Sequence, residues 1–329
     1  MRVCLFDHHD YIIPTEGIGG VIGTFQMLYE GLRNENIDLT LIVNDFSTLN
    51  SEQNFNVIKL PYEKIQDLRW GKLKVADFFN KGIFYSNSSG RNVNFNFENF
   101  DGTWVSTCHG CYEFVGGSDC QVFVSNNQLS QHFRDNLFDT YSNDYRVIHN
   151  RVNPDDYYWI EGPHDKLVWM GRIDGAKAER LYDIALGCNE KIFAAGWYSK
   201  EYEWLFNKVM STNKIEWLGE IKGCENKRKF YSMAKASIHC SSFEDPCPTT
   251  ILEAQSCGIP VVTYANGSMN EICENKKIIF NNITDFLSYI NHSKFEYDKN
   301  KIRQFVVENF NSKDYSKYYF NLFKTLWKK

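Results

Sequence analysis

SSFEDPCPTTILEAQSCGIPVV, residues 241–262, reads as a loop, a short helix and a strand in one run. Pro248 stiffens the helix entry, a place where proline is tolerated because the first-turn N–H has no partner anyway. Thr249 or Thr250 supplies an N-cap hydroxyl. Gly258 fits the left-handed residue after the last turn, and Pro260 stops the helix from continuing. Val261-Val262-Thr263-Tyr264 is β-branched and aromatic, the composition of a buried strand.

The same stretch concentrates chemistry. Glu244 and Asp245 sit on the loop and Glu253 on the helix. A helix N-terminus attracts anions, phosphate above all, and carboxylates hold sugar hydroxyls. A site that does both fits a nucleotide sugar. Glu253 also has a plain local reading. Thr250-x-x-Glu253 is a capping box, in which Glu253 folds back on the Thr250 N–H and needs no ligand. Local chemistry leaves both readings open.

The rest of the chain sets the frame. Its 329 residues suit roughly two domains of about 150 residues, each large enough for a hydrophobic core. With 43% apolar and 23% charged residues it is an ordinary globular composition. The net charge of -5 argues against a dedicated nucleic-acid binder. Ten cysteines in a chain this long, with no export segment at Met1-Arg-Val-Cys-Leu-Phe, read as reduced cytosolic thiols. No stretch approaches the roughly 18 apolar residues of a membrane span.

Read from the start, the pattern is strand (Arg2–Phe6), Gly-rich turn (Glu16–Gly23), helix (Thr24–Arg33) and strand (Asp38–Val43). This is a βαβ unit, so a parallel sheet is expected. Short strands follow at Val57–Leu60, Gly102–Thr107, Gln121–Ser125 and Arg146–His149, and a helix at Asn127–Phe138. The alternation restarts at Lys166–Met170 and runs to a terminal amphipathic helix at Ser312–Trp327. The expected division is 1–158 and 159–311, with 312–329 as a last helix crossing back to the first domain. In doubly wound sheets ligands sit at the carboxyl ends of strands. The loops Gly17–Gly23, Thr107–Cys111, Gly171–Lys177 and Phe243–Thr250 all fall there, and that shared placement turns Glu253 toward a ligand.

Other motifs are weaker. Gly17-Ile-Gly-Gly20 opens the first helix but has Ile22 where a dinucleotide fingerprint wants its third glycine. Arg172 and Lys177 beside a helix N-terminus suit a diphosphate, although two solvated surface charges are the commoner fate. Cys108-His109-Gly-Cys111 lacks the firm four-ligand spacing of structural zinc, so no metal is expected and His109 is read as a hydrogen-bonding group. Asp7-His8-His9-Asp10 is taken as a loop lining the site.

Assembled, these residues resemble the retaining GT-B glycosyltransferases of family four, the glycosyl transferases group 1 family. That family shows an acid, seven residues, Glu-Ala, then Cys-Gly-x-Pro-Val. Asp245, Glu253, Ala254, Cys257, Gly258, Pro260 and Val261 match. Gly171-Arg172 and Lys177 match its Gly-Arg and Lys, Gly19-Gly20 its N-terminal glycine pair, and His109-Gly110 its strand-end His-Gly. Asp245 in place of Glu, Ala178 after Lys177 and Arg151 within Asn-Gly-Val are departures.

The resemblance implies an α/β fold of two Rossmann-like doubly wound domains facing a central cleft. It implies sugar transfer from a nucleotide diphosphate sugar, UDP-sugar favoured, to a hydroxyl acceptor such as a glycan, with retention and without metal or other cofactor. Asp245 or Glu244 would hold the sugar and Arg172 and Lys177 the diphosphate, with Gly171 beside them. Glu253 would hold the ribose, Thr249 and Thr250 would present the helix N-terminus, and Gly19, Gly20 and His109 would act from the first domain. The alternatives are a hydroxylated DNA base as acceptor, an NAD-dependent oxidoreductase, and an inactive sugar-nucleotide-binding module. For DNA the surface would be residues 60–100, where Lys64, Arg69, Lys72, Lys74, Lys81 and Arg91 lie among Trp70, Phe78, Phe79, Phe84 and Tyr85. A cytoplasmic location, host cytoplasm if viral, completes the expectation.

Overall fold

A computed structural model describes residues 1–8, 13–14, 20–88, 93–110, 117–134, 142 and 144–327. The chain divides into two compact units, Met1–Asn150 with Ser312–Lys329, and Arg151–Asn311. The division falls earlier than the seam expected after residue 158. Val152 forms a parallel bridge with Asn311, and the Arg151 guanidinium donates to the Asn311 carbonyl at 3.2 Å, so the segment after Asn150 is held by the second unit.

Unit 1 runs β1 (Arg2–Asp7), α1 (Val21–Leu32), β2 (Asp38–Asn44), β3 (Phe55–Leu60), α2 (Tyr62–Arg69), β4 (Lys81–Ser88), β5 (Asp101–Cys108), β6 (Cys120–Phe123), α3 (Asn126–Arg134) and β7 (Asp144–Val147). The sheet is parallel, in the order β3-β2-β1-β4-β5-β6-β7. Val3, Cys4, Leu5 and Phe6 of β1 are all fully buried, as a central strand covered on both faces must be. One face packs against Phe25, Leu28 and Leu32 of α1, the other against Ile65 and Leu68 of α2 with Phe79 and Phe84.

Unit 2 repeats the plan with β8 (Lys166–Ile173), α4 (Gly175–Gly187), β9 (Ile192–Tyr198), α5 (Glu203–Met210), β10 (Ile215–Trp217), α6 (Cys224–Tyr231), β11 (Ala234–His239), α7 (Thr249–Ser256), β12 (Val261–Tyr264), α8 (Met269–Ile272), β13 (Ile279–Phe280), α9 (Ile283–His292) and α10 (Lys299–Asn309). Its parallel sheet is ordered β10-β9-β8-β11-β12-β13. In each unit the strand order reverses beside the first strand, between β1 and β4 and between β8 and β11. Those reversals are where ligands enter such sheets. No helix among the described residues is long and apolar enough to cross a membrane.

The last helix, α11 (Tyr315–Trp327), is part of unit 1. Tyr319 and Phe323 are fully buried in the core that α1 covers, and the Tyr319 hydroxyl shares a 2.8 Å hydrogen bond with Thr107. Ser316 packs so close to Gly31 that a methyl there would lie 2.2 Å from its Oγ.

Within 60–100, Trp70 is exposed with the Arg69 guanidinium 4.8 Å from its ring, while others of the basic and aromatic set are buried or ion-paired. Phe79, Phe84 and Tyr85 are core residues. Lys72, Lys74 and Lys81 pair with Asp67, Glu98 and Asp101. Arg91 lies outside the described residues.

Phe323→Ala removes a ring with no exposed surface and is expected to cost about 3–5 kcal/mol. Hydrogen exchange should show the loss in β1, β4 and β5, with β8 and β9 unaffected.

Candidate functional site

In unit 2 the site builds from the end of β8. Asp174 caps α4 with its side chain. Its Oδ1 accepts the Lys177 N–H at 2.7 Å, and its Oδ2 accepts from Arg172 Nε at 2.6 Å. One buried carboxylate thereby fixes the strand end and the first helical turn together. Arg172 was expected on a loop; it is still in β8, half-exposed, with its guanidinium 5.7 Å from the ring of Trp197 on β9. Arg172 and Trp197 are register partners, and Gly171 pairs with Gly196 just before them. Lys177 lies in the first turn of α4, not before it.

The loop after β11 is stitched to that turn. Ser242 donates its N–H to the Ala176 carbonyl at 2.7 Å, and Arg180 reaches the Ser241 carbonyl at 3.1 Å. These contacts bring Lys177 Nζ to 3.6 Å from Asp245 Oδ2. Asp245 is buried, whereas Glu244 beside it is half-exposed. Ser241 Oγ donates to Asp245 Oδ2 at 3.3 Å, and His239 Nε2 stands 3.6 Å from the same oxygen. Ser268 holds the Asp245 carbonyl through its N–H and hydroxyl, at 3.1 and 3.2 Å. Gly267 makes that approach possible. Its φ is +58°, and a Cβ there would lie 2.3 Å from the Asp245 carbonyl oxygen.

Burial pushes the His239 imidazole down to about 4, with the Lys177 charge acting the same way and Asp245 opposing. His239 is therefore neutral across the physiological range. The sequence showed it only as the last residue of a strand.

Glu253 stands elsewhere on α7. The capping reading does not hold. The N-cap is Pro248, without a side-chain bond, so Thr249 and Thr250 are the first two helical residues. Glu253 Oε1 instead accepts from Lys227 Nζ of α6 at 2.8 Å and from the Tyr157 hydroxyl at 3.2 Å. Both charged side chains are buried, at 6% and 3% exposure. Oε2 is buried without a hydrogen bond. The nearby Tyr231 hydroxyl lies 3.2 Å from the Thr250 carbonyl and 3.7 Å from Met170 Sδ. Burial first, and the Glu253 charge second, push the Tyr157 and Tyr231 hydroxyls well above their ordinary range. Lys227 and Tyr157 were missed because nothing in the local sequence ties either to Glu253, 26 and 96 residues away.

In unit 1, Gly20 is the N-cap of α1 at φ +74°, with open space where a Cβ would stand. Gly19 lies outside the described residues, as do His9, Asp10 and Cys111 of the two weaker clusters. His109 follows β5 and is buried; its Nε2 lies 2.8 Å from Asn87 Oδ1. Among the described residues no three His, Cys, Asp or Glu side chains gather as a metal site would require.

Residues 180–317 match the family model for glycosyl transferases group 1. No curated protein matches the sequence. Solved structures match along nearly the whole chain. AviGT4, a glycosyltransferase involved in avilamycin A biosynthesis, is 18% identical with a TM-score of 0.70, covering 99% of this chain and 98% of its own. Sucrose-phosphate synthase from Thermosynechococcus elongatus is 15% identical with a TM-score of 0.72 over the same shares. Anabaena HepE in complex with UDP-glucose is 12% identical with a TM-score of 0.71, covering 99% of this chain and all of its own. The fold is GT-B, and the stretch similar to the glycosyl transferases group 1 model covers most of unit 2.

Lys227→Met should destabilise the chain by about 3–5 kcal/mol, because it strands a buried carboxylate, and Glu253→Leu in the same chain should restore most of it. Urea denaturation of the single and double variants measures this. His239 adds an acid limb. Its folded value, about 4, lies below the ordinary 6.5. Between those values the unfolded chain binds the extra proton. The contribution is therefore complete above pH 6.5 and is lost as pH falls, by up to about 1.4 kcal/mol per pH unit. His239→Gln should flatten that slope in stability measured against pH.

Proposed function

We propose that this protein is a retaining glycosyltransferase that moves a sugar, a hexose or relative, from a nucleotide diphosphate sugar to a hydroxyl-bearing acceptor. UDP-sugar is the favoured donor and a glycan the favoured acceptor. The observation that carries the reading is the Lys177–Asp245 pair at 3.6 Å beside the β8/β11 reversal, with Asp245 inside the stretch that matches the group 1 family model. The Anabaena HepE structures with UDP and with UDP-glucose share this fold and support the choice of donor.

The mechanism follows from charge. Breaking the bond between the sugar and the diphosphate builds negative charge on the leaving phosphate. Lys177 and Arg172 are held from opposite sides of Asp174. They offset that charge without reorganising, the largest catalytic term available to such a site. Asp245 takes the sugar hydroxyls, with the half-exposed Glu244 the alternative beside it. The first turn of α7, Thr249 and Thr250, presents helix N–H groups to the donor. Glu253 takes the ribose hydroxyls. The acceptor hydroxyl attacks on the face the diphosphate leaves and passes its proton to the departing phosphate oxygen, which retains the anomeric configuration. No metal is required.

A thermal-shift panel of UDP-, GDP-, ADP- and dTDP-sugars tests the donor, and stabilisation by a UDP-sugar above the others is expected. No response to any of them would remove the reading. Lys177→Ala should lower transfer by about 10²–10³-fold with only a small fall in melting temperature, since the side chain is one-third exposed. Glu253→Gln is a poorer probe because it also breaks the buried pair with Lys227. The ribose role is better read by comparing UDP with 2′-deoxy-UDP. Equal affinities would leave Glu253 as a packing group alone.

A further inference from the structure

We infer that Trp197 is a specificity-determining residue, its exposed indole stacking on the base of a nucleoside diphosphate whose phosphates lie on Arg172 and Lys177. The inference deepens the proposed function and rests on its placing the diphosphate at those two cations.

The order of groups across the sheet of unit 2 carries it. β9, β8 and β11 are neighbours in that order. At their carboxyl ends stand an aromatic ring, a cation and a carboxylate: Trp197 on β9, Arg172 on β8, and Asp245 on the loop after β11. A nucleoside diphosphate sugar is built in the same order, base and ribose, then diphosphate, then sugar. With the diphosphate over β8 and the sugar over the β11 loop, the nucleoside falls on the β9 side.

The side chains also share a face. Alternate residues of a strand point to opposite faces. Ile173 of β8 lies in the core that α4 covers, and Tyr198 of β9 stacks on Phe206 of α5 with ring centroids 4.2 Å apart. Arg172 and Trp197, each one residue before these, point to the opposite face. On that face lies Met170, two residues before Arg172. Its Sδ is 3.7 Å from the Tyr231 hydroxyl, which is 3.2 Å from the Thr250 carbonyl of α7. The helix that carries Glu253 therefore covers the face from which Trp197 projects.

The ring is held but not covered. Trp197 is 47% exposed. Its register partner is Arg172, whose guanidinium stands 5.7 Å from the ring centroid. Gly196 draws the two strands together just before that pair: its φ is +150°, and a Cβ there would run into the Gly171 carbonyl oxygen. On the β10 side the Gly196 N–H donates to the Gly219 carbonyl at 2.9 Å, and Gly219 has nothing within 4 Å of where a Cβ would stand. A fixed, open aromatic surface beside a cation suits a flat base, which stacks by area on its π-face.

Calorimetric titration of the full chain tests this in the wild type, Trp197→Ala and Trp197→Phe. The probes are UDP, or whichever nucleoside diphosphate the donor panel selects, and inorganic pyrophosphate, which has no base. Trp197→Ala should raise the nucleotide dissociation constant about tenfold or more and leave that of pyrophosphate unchanged. Trp197→Phe should keep most of the wild-type affinity. Both variants should melt close to the wild type, because the ring is half-exposed. Indole emission of the wild type should fall on adding the nucleotide, and fall less in Trp197→Phe. Unchanged nucleotide affinity in Trp197→Ala overturns the inference. Equal weakening of nucleotide and pyrophosphate also overturns it, because Trp197 would then only prop Arg172. Either result leaves the proposed function standing. If the wild-type chain bound no nucleoside diphosphate, the proposed function would fall and the inference with it.

Discussion

A single carboxylate decides where the charges of unit 2 stand. Asp174 uses one oxygen to cap α4 and the other to hold Arg172. The first contact is worth about 1 kcal/mol as a cap, but its geometric effect is larger. It sets the direction in which α4 leaves the sheet, and so the position of Lys177, to which Ser242 and Arg180 then tie the Asp245 loop. Remove that cap and the two cations no longer share a reference point. The pairing of Lys177 with Asp245 is a consequence of this joint rather than an independent attraction.

The two units solve the same problem differently. Both place their polar residues where the strand order reverses. In unit 2 the residues at that point are charged and mutually compensating. In unit 1 they form a hydrogen-bonded line, Asp7–Asn87–His109.

Much of the architecture was legible because fully buried parallel strands and amphipathic helices leave strong patterns. β1, β2 and β8 are near-continuous apolar runs, and Gly258 and Pro260 marked the end of α7. The central strand β4 went unread because Lys81–Ser88 ends in Ser-Asn-Ser, a polar run that does not look like a buried strand, although Ser86 and Asn87 are buried. α10 was missed because only Ile302 and Val306 of its eleven residues are buried. At the site, Asp245, Lys177, Arg172 and Glu253 were named from local motifs. Their partners were not. Asn87 meets His109 across 22 residues, Gln128 meets the Gly110 carbonyl across 18, and Lys227 meets Glu253 across 26. Spacing along the chain carries no information about such contacts until the sheet order is known. The capping box on α7 shows the converse: the helix begins at Thr249, too early for Thr250 to cap it, which leaves Glu253 to pair with a buried lysine.

α11 has a consequence for how the chain is made. The core of unit 1 includes Tyr315, Tyr319 and Phe323, so a nascent chain cannot complete that core until the ribosome has delivered residues far downstream. Unit 2, contiguous from Arg151 to Asn311, has all its parts earlier. Synthesis therefore inverts the usual order, with the second unit closing first and the first waiting with its apolar sheet face uncovered. Any product that stops short of α11 keeps that face open, and so carries the exposed surface by which chaperones and proteases recognise an unfinished protein.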